Sequence, residues 1–151
     1  MYDQLGGEAR LRAIIDCFVD RIFDDVMIGF FFRKASRERI KRMEFEFAAA
    51  HLGAPIVYSG RPIDRAHAAH PIMGGQFMRR LQILKDVMAE FDVPPHIQQH
   101  WVAHTETLRP LVTRDAENHC DPTAAAARVA SARSARDGVS AERSTLEKGD
   151  G

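Results

Sequence analysis

The chain has 151 residues, 45% of them apolar, with 21 basic and 21 acidic side chains and a formal net charge of zero. That length suits one domain with a real core, and the scattered charge gives no basic footprint for nucleic acid or an anionic membrane surface. Cys17 and Cys120 stand far apart without CxxC spacing, and no apolar run approaches the roughly 20 residues of a membrane span, so a reduced, cytoplasmic protein without export or insertion is predicted.

In chain order, Leu11, Ile14, Ile15, Phe18, Ile22 and Phe23 recur at the three-and-four spacing of a helix with one buried face. Gly6-Gly7 starts this first predicted helix and Asp24-Asp25 closes it. A second runs from Ser36, a good N-cap, to about Leu52, with Ile40, Met43, Phe47 and Ala50 on one stripe and Gly53 as its stop. Two prolines and two glycines make 53–62 a loop, and a short helix carrying His67 follows. Gly74-Gly75 opens a helix that reaches Phe91, with Phe77, Leu81, Leu84 and Met88 inward. Val93-Pro94-Pro95 stops it. A last helix is predicted from about Pro95 to Val112, burying Ile97, Trp101, Leu108 and Leu111 or Val112.

With no strand pattern, repeat or phosphate-cradling glycine loop, the fold class is all-α. Residues 115–151 hold only Val129, Val139 and Leu146 as larger apolar groups. Such a tail buries too little surface to offset its ordering entropy and reads as disordered, with transient helix at Ala124 to Ala135. The expected organisation is one domain over 1–114 and a tail.

Spacing alone does not make any histidine a ligand. Several separated stretches, however, match one known pattern: Tyr2-Asp3-Gln4-Leu5-Gly6-Gly7, Phe31-Phe32, Ala48-Ala49-Ala50-His51-Leu52-Gly53, Tyr58-Ser59-Gly60, His67 and Phe77. In order and spacing they resemble the truncated haemoglobins, nearer group I by loop spacing. The resemblance covers about residues 1–114. It implies a two-over-two helical sandwich around a haem of b-type, with His67 as the proximal iron ligand. Phe32 falls where a phenylalanine stacks on the porphyrin, and Ile40, Met43, Phe47, Phe77 and Arg80 fall at further cofactor contacts. His70, three residues beyond His67, competes for the ligand role.

On the distal side the sequence departs from that family. Val19 stands where most members have a tyrosine that hydrogen-bonds the bound gas, Glu44 where a glutamine is common, and Arg80 where an apolar residue or tryptophan closes the pocket. Val19, Phe32, Ile40, Glu44 and Arg80 are thus the expected distal pocket. A carboxylate and a guanidinium can satisfy one another there; alternatively Arg79 or Arg80 turns outward to a propionate or to solvent. Met43 reads either as a second axial ligand or as core filler. His96, His100 and His104, spaced by four, form either a surface metal site or an incidental stripe. Cys17 reads as a small core residue.

The resemblance implies binding of oxygen, or of nitric oxide or carbon monoxide, at a histidine-ligated iron, with oxygen transport as the associated role and an electron-donating reductase as a partner. The alternatives are a haem enzyme, either an NO dioxygenase or peroxidase-like with Glu44 and Arg80 polarising peroxide, a six-coordinate redox or gas sensor, and a helical domain without haem.

Overall fold

Gly6 takes φ 110°, which a side chain rarely adopts, and this turn separates helix α1 (Tyr2–Leu5) from α2 (Gly7–Asp24). The computed structural model describes residues 1–114; the predicted tail, with Cys120, lies outside the described residues. A 3-10 helix (Gly29–Phe32) follows α2, then α3 (Arg37–His51), α4 (Ile63–His67), α5 (Gly74–Glu90), α6 (Pro95–Thr107) and α7 (Arg109–Val112). No strand occurs among the described residues. Two helix pairs, α2 with α3 and α5 with α6, form a two-over-two helical sandwich.

Most of the predicted stripe of α2 is the centre of the core: Leu11, Ile14, Ile15, Phe18 and Ile22 are buried, joined by Val19, whereas Phe23 at the helix end is only half-buried. Helix α3 starts as its sequence dictates, with Ser36 Oγ accepting from the Arg39 amide at 3.3 Å. Its two apolar faces serve different neighbours. Phe45, Ala48 and Ala49 are buried in the core, whereas the predicted stripe of Ile40, Met43 and Phe47 is only half-buried and lines a cavity. Arg37 ties α3 to α2 by bonding Asp20 at 3.0 Å and Asp24 at 2.8 Å.

Two short elements escaped the sequence pattern, α1 and the 3-10 helix, because neither is long enough to show a period. The 3-10 helix packs so closely on the end of α2 that a Cβ on Gly29 would lie 2.4 Å from the Phe23 carbonyl oxygen. Asp25 fixes the approach by accepting from the amides of Met27 and Ile28.

The predicted last helix is corrected by the structure. It breaks at Leu108, because Pro110 has no amide hydrogen to give the Glu106 carbonyl and its ring crowds that turn. Ile97 and Trp101 are buried as expected, Leu108 and Val112 are only half-buried, Leu111 is 52% exposed, and Thr105 takes an inward place, its hydroxyl donating to the Trp101 carbonyl at 2.9 Å. Asp92 turns the chain between α5 and α6 at φ 46°, a conformation that Asp tolerates better than most residues.

Candidate functional site

A cavity of about 650 Å³ opens between α3, α5, α6 and the short α4. Such a volume lies in the range of cofactor pockets. Phe32, Ile40, Met43, Phe47 and Phe77, the residues that the resemblance put at cofactor contacts, contribute apolar wall together with Phe18, Ile63, Ile72, Leu84 and Trp101.

His67 closes α4, and its position there follows from local chemistry. Pro62 sets the start of the helix, and the ring Nδ1 sits 2.8 Å from the Ile63 carbonyl one turn back. A carbonyl can only accept, so Nδ1 carries a hydrogen, and in the neutral ring the lone pair then lies on Nε2, the form in which an imidazole ligates a metal. His70 also lines the cavity, its ring edge-on to Phe31 at 6.1 Å.

Elsewhere on the cavity lining, Arg80 of α5 donates to Glu44 of α3 at 2.6 Å, and its guanidinium carbon lies 4.8 Å from the Phe18 ring centroid. Both side chains line the cavity and are about a quarter exposed, at 26% for Glu44 and 28% for Arg80. Arg79 points elsewhere, to Asp25 at 2.8 Å. Of the two arginines, therefore, Arg80 is the one brought to the cavity. Val19, expected in the distal pocket, is fully buried in the core and is not among the lining residues. One helical step of about 100° separates it from Phe18, which does line the cavity.

Sequence reasoning gave Tyr58 no role at the site. Its ring lies on the cavity wall, edge-on to Phe47 at 5.2 Å. Gly60 permits this, since a Cβ there would fall 2.1 Å from the Tyr58 ring. The Tyr58-x-Gly60 spacing was the available signal. Ser59 anchors the same loop by donating amide and hydroxyl to Glu46, and burial, with Glu44 and Glu46 adding, pushes the Tyr58 phenol up. Lys34, Arg39 and Arg61 also line the cavity, and none of them was singled out from sequence.

The expected histidine stripe of α6 is divided. His96 lies 3.4 Å from Gln4, whereas His100 and His104 stack on His51 of α3. Among the described residues no three His, Cys, Asp or Glu side chains are grouped to hold a metal ion. Cys17 is a free, half-buried cysteine.

A helical sandwich around a cavity lined by aromatic rings, an imidazole and an arginine–glutamate pair is an arrangement found in globins. The sequence model of the bacterial-like globin family matches residues 1–114. The group 1 truncated hemoglobin GlbN of Mycolicibacterium paratuberculosis is 31% identical over 94 residues, covering 62% of this chain and 69% of that protein. Among solved structures, the truncated hemoglobin from Tetrahymena pyriformis in its Fe(III) form superposes with TM-score 0.68 at 22% identity, over 74% of this chain and 96% of that one. The 2/2 hemoglobin of Synechococcus in the cyanomet state with covalently attached heme gives TM-score 0.64 at 20% identity, over 70% and 89%. The chain belongs to the truncated haemoglobins, group I, and haem is the cofactor of that family.

Proposed function

We propose that the chain holds a b-type haem through His67 and binds oxygen or another diatomic gas on the Arg80 side. The observation that carries this reading is the hydrogen bond from His67 Nδ1 to Ile63, which fixes the ring on the cavity wall with Nε2 as the free lone pair. The residues present suit the cofactor. Phe32, Phe47 and Phe77 offer flat apolar surface to a flat macrocycle, and Lys34, Arg39 and Arg61 offer cations to its propionates. When bound, haem supplies the iron at which the gas is held.

The chain's own residues do the rest. Apolar walls limit water around the ligand, and Arg80, which Glu44 and Phe18 hold at the cavity, is placed to donate a hydrogen bond to a ligand that draws negative charge. The distal donor in this reading is a guanidinium in place of a tyrosine hydroxyl. Residence in the cytoplasm and an external electron donor that keeps the iron reduced complete it. Among the described residues, no helix is long and apolar enough to cross a membrane.

The test is haem retention. His67→Ala should lose haem, read as loss of the Soret band after gel filtration, while His70→Ala stays loaded. Equal retention in the two variants removes the assignment, and parent protein without a Soret band after haem addition removes haem binding altogether.

A further inference from the structure

Arg80 does not use all of its donors on Glu44. The recorded bond runs from Nη2 to one carboxylate oxygen, Oε1, whereas a guanidinium carries five N–H donors. Phe18 covers one face of the group, which leaves its edge for a guest in the cavity. Glu44 is also the only carboxylate among the described lining residues, set against Lys34, Arg39, Arg61 and Arg80. The two propionates of a haem would account for two of those four cations, and Glu44 for a third. The lining therefore keeps an excess of positive charge, with its most enclosed anchor blocked by an internal carboxylate.

We propose that Glu44 is a specificity-determining residue that competes with small monovalent anions for Arg80, so that the cavity favours neutral diatomic gases over anionic ligands. This rests on the haem reading given above. An anion entering the distal side meets two opposing effects from one pair. Arg80 attracts it with charge-assisted hydrogen bonds, and Glu44 repels it while holding the same guanidinium. Because both side chains are largely shielded from water, neither effect is screened as it would be on an open surface. A neutral gas enters without net charge, and carbon monoxide draws little on binding, so the pair acts on it far less than on an anion.

Azide is the probe, titrated into the ferric haem-loaded protein and read by the Soret shift, with carbon monoxide on the ferrous protein as the neutral reference. Replacing Glu44→Gln keeps the side chain's shape and removes its charge, and should tighten azide binding at least tenfold and raise the ratio of azide to carbon monoxide affinity. Arg80→Leu should weaken azide at least tenfold, and Arg80→Lys, which keeps the charge if the leucine variant fails to fold, should fall between that variant and the parent. An azide affinity in Glu44→Gln equal to or below that of the parent overturns the proposal. So does an Arg80→Lys protein that holds azide as tightly as the parent, since a point charge without the guanidinium edge would then suffice. A parent that takes up no haem removes the haem reading and this inference together. A haem-loaded parent with a flat variant series removes the inference alone.

Discussion

At Phe18 and Val19 one step along α2 divides two environments. Phe18 faces the cavity and lies beneath the Arg80 guanidinium, whereas Val19 has no exposed surface and packs within the core. A tyrosine at Val19 would need room for a ring where protein atoms are already close-packed. Val19→Tyr should therefore lower stability by about 1–3 kcal/mol, the usual cost of overpacking, before it can act on a ligand. Thermal unfolding of the haem-loaded protein checks this, and a melting temperature at or above the parent's would show that the ring reaches the cavity instead. Residue type made the missing tyrosine legible in the sequence. Which of Arg79 and Arg80 turns inward was not, because adjacent arginines on a helix look alike until Asp25 captures one and Glu44 the other.

At the scale of elements, the long helices were legible because burial of one face imposes a period, and their ends because Gly, Ser and Pro have few conformational uses. What joins two helices was not. His100 and His104 sit on one stripe of α6, but their partner His51 comes from the end of α3, and nothing local in the sequence marks that meeting. The three rings stack nearly parallel, with centroids 4.4 Å from His51 to His100 and 3.7 Å from His51 to His104. The buried Nε2 of His51 has no hydrogen-bond partner among the described residues. Burial pushes the His51 imidazole down from 6.5 to about 4, with His104 and His100 adding to the effect. An unfolded chain binds this proton between pH 6.5 and about 4 where the folded one does not, so the neutral stack stabilises fully above pH 6.5 and its contribution is lost as the pH falls toward 4. His51→Phe keeps a ring in the stack and removes the titration. Its acid-unfolding midpoint, followed by helical circular dichroism, should move to lower pH by about half a unit; a midpoint unchanged or raised would show that the stack does not oppose acidification. Phe47 lies 5.6 Å from His104 and lines the cavity, so the same titration should reveal haem release following the loss of helix.

Across the described domain, the sandwich helices are joined through the core, but the segment that follows His67 is held differently. Backbone turns link His70 to His67 and Ile72 to His70, the His70 ring meets Phe31 edge-on, and further hydrogen bonds come from the far end of the domain. The Arg114 amide donates to the Ile72 carbonyl at 3.1 Å, and its guanidinium donates to the Ala68 carbonyl at 2.8 Å. The last described residue thus secures the segment next to the proposed iron ligand, which explains why the short α7 is needed beyond the break at Leu108. No periodicity could have announced this, since the partners are 46 residues apart. Removal of residues after 118 deletes a stretch poor in large apolar groups and keeps both bonds, so haem content and melting temperature should stay at the level of the full chain. Arg114→Ala keeps the amide bond and loses the guanidinium bond, whose contribution is about 0.5–1.5 kcal/mol for an ordinary hydrogen bond and somewhat more for a charged donor. Because that energy acts on the segment beside His67 and the core is untouched, the rate of haem transfer to an excess of apomyoglobin should rise severalfold while the melting temperature shifts little. Transfer from Arg114→Ala at the parent's rate would show that the bond to Ala68 does not restrain His67, and a changed transfer rate from the truncated chain at an unchanged melting temperature would show that residues beyond 118 act on the site.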